Sequence, residues 1–251
     1  MRSKRVGGLT VEVYRDMREL INAAAELLFS QLRSKKESVI GLATGSTFLP
    51  FYAYVAANYR KEGISFRDAV TFNLDEYYPI ANEDSNSYHS YMTANFFSKI
   101  DIQTANVHIP DGSAVNPDLE AMEYEGAILR AGGIDLQFLG IGRNGHIGFN
   151  EPGTSFESRT HVTSLTDSTL AANRPLFSDS GSPMPVKAIT MGIATILSAH
   201  RLVLLAFGKT KSDALYAALN GPVTKEVPAS VLRKHGKATF MVDEDALGDM
   251  F

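Results

Sequence analysis

The segment LGIGRNGHIGFNEPG, Leu139 to Gly153, joins an apolar run to a glycine-rich turn that carries reactive side chains. The apolar run, residues 135–141, has the length of a buried strand, and the glycines after it free the backbone from side-chain restrictions. In open α/β proteins, a permissive turn directly after a buried strand commonly holds the reactive groups. His146 and Glu151 of this turn form a candidate proton-transfer pair, because a carboxylate can orient an imidazole and select its tautomer.

A plainer interpretation of the same turn is that its glycines only shape the backbone and that His146 is a partly buried structural ring. That interpretation is the commoner one for a histidine taken alone, since most histidines are not catalytic. The polar clusters elsewhere in the chain favour the catalytic interpretation.

The composition is that of a globular protein. The chain has 251 residues, of which 44% are hydrophobic and 21% charged, and its length allows one large α/β domain or two small ones. No low-complexity linker divides the chain, so one domain over residues 1–251 is expected. The net charge of −4 and the lack of a basic patch argue against nucleic acid as a partner. The absence of cysteine excludes disulfides and thiolate chemistry. No signal-peptide core or membrane-length apolar run occurs, so we expect a cytoplasmic protein without a membrane partner.

Short apolar segments alternate with segments of helical period along the whole chain. This alternation predicts an α/β fold with one doubly wound, mostly parallel sheet and helices on both faces. The predicted strands are residues 39–43, 69–73, 136–141, 202–207 and 238–242, with strand-like sequence also at 188–191. The predicted helices are one within 12–32, then 49–59, 88–97, 119–131, 193–197 and 212–219. Residues 178–185, SDSGSPMP, are predicted to form a surface loop.

Polar clusters follow four of these strands, at the sheet edge where ligands bind in such folds. Thr44, Gly45, Ser46 and Thr47 precede a helix and suit an anion, because free N–H groups and the helix dipole favour negative charge there. An ordinary helix cap without a ligand is the alternative for this loop.

Two further clusters complete the edge. Asp75 and Glu76 follow the strand at 69–73, and one of them can transfer protons if its environment tunes it, although solvated loop charge is the usual role of such a pair. Adjacent residues of an extended chain point in opposite directions, so at most one of the two should face a ligand. Lys211 follows the strand at 202–207 and can complete a phosphate site, although a solvated surface lysine is commoner.

Together these clusters predict a small phosphorylated substrate that undergoes acid–base chemistry. No two of the six histidines share a metal-ligand spacing, so no metal is expected.

The chain resembles the glucosamine-6-phosphate deaminase (isomerase) family, which is related to the 6-phosphogluconolactonases. The resemblance covers about residues 39–244, through the blocks GLATGST, TFNLDEYY, SNSYHSYM, LGIGRNGHIGFNEPGTSFESRTH, AITMGIATIL and GKTKSDAL. The family implies a Rossmann-like fold and the conversion of a 2-amino-2-deoxyhexose 6-phosphate and water to a ketohexose 6-phosphate and ammonia, without a cofactor.

The resemblance also implies residue roles. Asp75 would move a proton between carbons 1 and 2 of the open-chain sugar, and His146 would assist ring opening. Glu151 and Asn144 would orient and charge His146. The residues expected to bind the substrate are Thr44, Gly45, Ser46, Thr47, Glu76, Lys211 and Arg174.

The chain departs from the family pattern at three places. Asn144 stands where some members have aspartate, and an amide can orient the imidazole but adds no negative charge. Pro175 takes the place of the family's phosphate-binding arginine, with Arg174 one residue earlier in a segment expected to be loop-rich. Residues 159–163, RTHVT, hold fewer fixed charges than in allosteric members, so strong activation by an N-acetylated sugar phosphate is not expected.

The sequence leaves the exact substrate and activity open. Galactosamine 6-phosphate differs from glucosamine 6-phosphate only at carbon 4, and one hydrogen bond can decide between them. The sequence is also compatible with a phosphosugar lactonase and with a sugar-phosphate sensor that lacks catalysis. Residues 156–185 are a candidate lid. The oligomeric state is also open, a homo-oligomer included.

Overall fold

The computed structural model describes residues 1–177 and 183–250. The strands are β1 Arg2–Val6, β2 Leu9–Tyr14, β3 Val39–Leu42, β4 Val70–Asn73, β5 Asp75–Tyr78, β6 Val107–His108, β7 Leu136–Leu139, β8 His161–Ser164, β9 Lys187–Thr190, β10 Arg201–Ala206 and β11 Ala238–Asp243. The α-helices are α1 Met17–Ser34, α2 Phe48–Asn58, α3 Tyr88–Asn95, α4 Pro117–Arg130, α5 Asp167–Phe177, α6 Ile193–Leu197, α7 Ser212–Asn220 and α8 Glu244–Leu247. Short 3-10 segments occupy Phe97–Lys99, Thr104–Asn106, Lys209–Lys211 and Pro228–Lys234.

The central sheet has eight strands in the order β1-β2-β11-β10-β7-β3-β4-β6. The β1–β2 pair is antiparallel and every other neighbouring pair is parallel. The inner strands β3, β7 and β10 are almost continuously apolar because helices cover both of their faces. The α/β class with a mostly parallel sheet is therefore confirmed.

Neighbouring residues of the sheet show how helices cover it from both sides. Gly41 is the register partner of both Phe72 and Gln137, so Phe138 points to the opposite face from Phe72. Phe138 packs on Phe51 of α2 with ring centroids 4.9 Å apart, and Phe72 packs on Tyr124 of α4 at 5.6 Å. The helices α2 and α4 therefore lie on opposite faces.

A second sheet, which the sequence did not predict, has three antiparallel strands in the order β5-β9-β8. A separate apolar cluster packs against it, formed by Tyr77, Ile80, Phe149, Leu165, Phe177 and Ala188. This small sheet adjoins the carboxyl edge of the central sheet, because Leu74 alone separates the end of β4 from the start of β5.

The structure adds two features that the sequence analysis did not predict and corrects one expectation. Residues 2–14 form a hairpin, β1 and β2, that adds to the central sheet beside β11. Asp75 and Glu76 begin a strand rather than lying in a loop. Within the candidate lid at 156–185, residues 161–177 supply strand β8 and helix α5 instead of a loop-rich connection. Of the predicted surface loop at 178–185, residues 178–182 lie outside the described residues.

Candidate active site

The turn after β7 holds His146 against its own backbone. The Gly142 N–H donates to the His146 carbonyl at 2.9 Å, and the Gly145 N–H donates to the Gly142 carbonyl at 3.0 Å. A Cβ on Gly142 would lie within 2.3 Å of the His146 ring, so the imidazole occupies the space that any side chain at residue 142 would need. Gly145 has φ +83° and approaches Val227 closely. The glycines thus place the imidazole as well as making the turn.

The Glu151 carboxylate contacts three side chains of the site. Its Oε2 accepts from Asn144 Nδ2 at 2.7 Å and lies 3.4 Å from His146 Nδ1, and its Oε1 accepts from Thr169 Oγ1 at 2.5 Å. Asn144 Oδ1 also accepts from the His146 backbone N–H at 3.2 Å. Asn144 therefore orients the Glu151 carboxylate with its Nδ2 and the backbone of the turn with its Oδ1.

These contacts decide the charge of Glu151. Burial raises the pKa of its carboxyl, but His146, Thr169 and Asn144 act in the opposite direction and outweigh burial, lowering the pKa to about 2. Glu151 is 5% exposed and ionised at any physiological pH. A fixed negative charge 3.4 Å from His146 Nδ1 orients the imidazole and selects the tautomer with hydrogen on Nδ1.

Asp75 lies at the first position of β5 and faces the same turn. It is 5% exposed, and its register partner across the small sheet is Thr190. A Cβ on Gly148 would lie 3.3 Å from Asp75 Oδ2 and 3.0 Å from Thr190 Oγ1. The Phe149 N–H points to Thr190 Oγ1 at 3.1 Å and also to the Asp75 carboxyl. The backbone of the turn therefore packs directly on Asp75.

The environment of Asp75 disfavours its charge. Burial and, secondarily, the neighbouring Glu76 raise the pKa of Asp75 to about 8, although the Phe149 N–H lowers it. A carboxyl with a pKa in this range can both take up and return a proton near neutral pH. This property makes Asp75 a candidate general base.

Glu76 points away from Asp75 and is fully buried. Its Oε1 accepts from the backbone N–H groups of Tyr77 and Tyr88, and its Oε2 accepts from that of His89. The opposite orientation of Asp75 and Glu76 agrees with the prediction for an extended chain. Both oxygens of Glu76 serve the first turn of α3, so we do not retain Glu76 among the proposed substrate-binding residues.

The anion-binding candidates lie beside the turn. Gly45, with φ +97°, and Ser46 are exposed, Thr44 and Thr47 are half-buried, and α2 begins at the next residue. Lys211 follows β10, and its Nζ donates to the Ile141 carbonyl at 2.7 Å. Burial, and then the neighbouring Arg143, lower the pKa of Lys211. Because β3, β7 and β10 are adjacent in the sheet, these groups share its carboxyl edge.

Arg174 lies on the last turn of α5 with its neighbour Pro175 inside the helix. Both residues are exposed. Their segment is helical, so the expectation of a loop-rich segment that lets Arg174 reach the phosphate is wrong about the segment.

Three residues of the site are not predicted by the sequence pattern. Thr169 on α5 reaches the Glu151 carboxyl from a segment interpreted as loop, and no local pattern marks it. Tyr88 contacts Thr44 and Tyr77 and lies near Asp75, a position that only the tertiary fold creates. Arg143 is exposed beside Lys211, and its position between Gly142 and Asn144 was the available signal.

Over residues 1–177 and 183–250, no group of three or more His, Asp or Glu side chains is arranged to hold a metal ion. In the same part of the chain, none of the helices combines the length and the apolar character needed to cross a bilayer.

Comparison with known proteins identifies relatives of nearly the same length. A glucosamine-6-phosphate deaminase of Thermoanaerobacter sp. (strain X514) is 46% identical over 228 residues, which is 91% of this chain and 90% of the relative. A glucosamine-6-phosphate deaminase of Halothermothrix orenii is 46% identical over 238 residues, which is 95% of this chain and 98% of the relative.

Solved structures show the same fold. A monomeric glucosamine-6-phosphate deaminase superposes with a TM-score of 0.91 at 43% identity, covering 94% of this chain and 98% of that one. The 6-phosphogluconolactonase of Thermotoga maritima superposes with a TM-score of 0.75 at 22% identity, covering 94% of this chain and 99% of that one, which shows a shared fold alone. The model of the family described as glucosamine-6-phosphate isomerases/6-phosphogluconolactonase matches residues 15–241, and the chain belongs to this family.

Proposed function

We propose that the protein converts glucosamine 6-phosphate and water to fructose 6-phosphate and ammonia. The observation that carries the proposal is the position of Asp75, buried against the turn of His146 and Glu151 at the sheet edge that also holds Lys211. The names of the relatives at 46% identity support the substrate. No cofactor is required, because the carbonyl of the open-chain sugar supplies the acidity of the neighbouring C–H bond.

In the proposed reaction, His146 opens the sugar ring. Its imidazole takes the hydroxyl proton from O1 and gives a proton to the ring oxygen as the C1–O5 bond breaks, so that C1 becomes an aldehyde. The contact of 3.4 Å between His146 Nδ1 and Glu151 Oε2 supports this role, because the ring's other nitrogen is then free to face the substrate.

Asp75 then moves the C2 proton. Its carboxylate takes the proton from C2 while water gives a proton to O1, and an enolamine with a C1–C2 double bond forms. The same proton returns from Asp75 to C1, the hydroxide takes a proton from the nitrogen, and the C2–N bond becomes an imine. Water adds to C2 and ammonia leaves, so the ketone forms by a hydrolytic step that follows the isomerisation. The raised pKa of Asp75 suits a group that must hold the proton between its removal and its return.

The phosphate is proposed to bind between the Thr44–Thr47 loop and Lys211. The exposed backbone of Gly45 and Ser46 and the start of α2 offer N–H donors, and Lys211 offers a positive charge. Arg174, in the last turn of α5, is proposed as an additional phosphate contact whose position is set by that helix.

The direct test measures ammonia release from glucosamine 6-phosphate and from galactosamine 6-phosphate, for the wild type and for Asp75→Asn. Asp68→Asn, an exposed position near the amino end of β4, is the matched control. We expect release from glucosamine 6-phosphate, lost by a factor of about 10³ or more in Asp75→Asn and kept in the control.

Three different results would contradict this assignment. Release from galactosamine 6-phosphate alone would assign the other C4 epimer. Binding of both sugars without ammonia release would indicate a sensor, and hydrolysis of 6-phosphogluconolactone instead would indicate a lactonase.

A further inference from the structure

The carboxylate of Glu76 has four hydrogen-bond contacts, and three of them come from backbone N–H groups at 2.8 to 3.0 Å. The fourth comes from a side chain: His89 Nδ1 lies 3.2 Å from Glu76 Oε2. Because an ionised carboxylate only accepts, the imidazole nitrogen in this contact carries the hydrogen. His89 is therefore the one of these four donors that a substitution can remove without changing the backbone.

His89 connects this buried carboxylate to the outside. Its side chain is 28% exposed, whereas that of Glu76 is fully buried. The outer side of His89 lines a cavity of about 450 Å³, together with Asn82, Glu83, Ser90, Thr93, Ala94 and Ser98. None of these lining residues belongs to the candidate active site, so a change at His89 replaces no group of that site.

Glu76 is the acid next to Asp75 in the chain, and its charge acts on Asp75 although its side chain points the other way. Asp75 is bordered by Glu76 and Tyr77 on its own strand, by Tyr88 of α3, by Tyr124 of α4 and by the Phe149 N–H of the turn. Both carboxyl groups are at least 95% buried, where charges are poorly screened. Whatever neutralises Glu76 therefore lowers the cost of ionising Asp75.

We propose that His89 is a positioning residue for the proton transfer. By donating a hydrogen bond to Glu76, His89 draws the negative charge of that carboxylate away from Asp75 and so sets the pH range in which Asp75 acts as a base. The kinetic part of this inference rests on the proposed function. Among the other residues that line the cavity beside His89, Glu83 is the charged one.

The test compares His89→Phe, which removes the donor, with His89→Asn, whose Nδ2 can replace Nδ1. Thr93→Val changes the same cavity wall without reaching Glu76 and serves as the control. In His89→Phe we expect the acid limb of the kcat/KM profile for ammonia release to move up by about half to one pH unit. The rate then falls about 3- to 10-fold at pH 6.5 and recovers at pH 9. His89→Asn and Thr93→Val should follow the wild type.

A second measurement does not depend on activity. The carboxyl ¹³C resonance of Asp75, followed against pH without substrate, should titrate at higher pH in His89→Phe than in the wild type. His89→Ala repeats the comparison if the phenylalanine variant does not fold. An unmoved Asp75 titration, with kcat/KM reduced equally at every pH, would overturn the inference and leave His89 a packing residue of α3. A moved titration in a protein that releases no ammonia would sustain the inference and overturn the proposed function instead.

Discussion

Gly148 packs closely on Asp75, since a Cβ on Gly148 would lie 3.3 Å from Asp75 Oδ2 and 3.0 Å from Thr190 Oγ1, so that both side chains would have to shift. Gly148→Ala should therefore displace the carboxyl, in addition to the backbone cost of about 1–2 kcal/mol for a side chain at φ +56°. Gly153 is the matched control, because it has φ +92° and nothing within 4 Å of its Cβ position. We expect kcat to fall at least 10-fold further in Gly148→Ala than in Gly153→Ala, at similar losses of Tm. Equal activities would show that the contact does not matter.

Thr169 ties helix α5 to Glu151 through one hydroxyl. Thr169→Val keeps the shape and removes the donor, so Glu151 loses part of what lowers its pKa to about 2. A bond to a charged acceptor contributes about 1.5–3 kcal/mol, which corresponds to a Tm loss of about 3–10 °C at neutral pH. A group with a lowered pKa stabilises the protein above its unfolded pKa, so the loss should shrink as the pH falls below about 4. Thermal melts of Thr169→Val and Thr169→Ser at pH 7 and pH 3.5 check this, with the serine variant close to wild type.

Asn144→Asp would place two carboxylates at the 2.7 Å contact that Asn144 now makes with Glu151. One of the pair must then hold a proton, and it does so less readily as the pH rises. The Tm deficit of Asn144→Asp should grow between pH 5 and pH 8, whereas that of Asn144→Ala, which only loses the bond, should stay level. A deficit of Asn144→Asp that does not change with pH would contradict the contact.

The cost of burying Asp75 should appear in the stability of the protein. Its pKa is about 8 in the fold against an ordinary value of 3.8, so the folded state holds an extra proton between these values. The protonated Asp75 contributes its full share to the free energy of unfolding below about pH 4, and this share is lost as the pH rises through about 8. Asp75→Asn should gain Tm relative to the wild type as the pH is raised from 5 to 9, while Asp68→Asn should not. Parallel pH profiles of Tm in the three proteins would speak against a neutral Asp75.

Lys211 and Lys209 offer a matched pair for the phosphate site, since both lie in the same 3-10 turn but only Lys211 reaches the Ile141 carbonyl. Lys211→Met should raise KM for glucosamine 6-phosphate about 10-fold or more, with a smaller effect on kcat, because the lost charge binds a group that does not react. Lys209→Met should leave KM within about twofold. Comparable KM values in the two variants would remove Lys211 from the phosphate site.

The central strands could be predicted because burial on both faces leaves a direct record in the sequence, an unbroken apolar run such as that of β10. The sequence pattern is weaker where a strand forms only by pairing with a strand that is distant in the chain. β1 is a basic, exposed edge strand, and β5 has the polar sequence DEYY, which becomes a strand only by pairing with β9. Local patterns carry no information on such partners.

The same difference separates the parts of the site. Asp75, His146 and Lys211 each follow a predicted strand, so the rule that ligands bind at the carboxyl edge was enough to group them. Thr169 belongs to a helix that packs on the small sheet, and Glu76 faces α3. Their positions depend on contacts between elements that the sequence pattern alone does not relate.

The pairing of β2 with β11 has a consequence for synthesis of the protein. Thr10 of β2 is opposite Thr239 of β11, so β2 can pair only after more than two hundred further residues have been synthesised. Before β11 is available, the hairpin of β1 and β2 cannot pair with the central sheet, and the edge of β10 that β11 covers in the folded protein has unpaired backbone groups. Such distant pairing makes folding slow and exposes unpaired strand edges to other chains. We therefore expect the nascent chain to need protection from aggregation until β11 has been synthesised and can pair with β2 and β10.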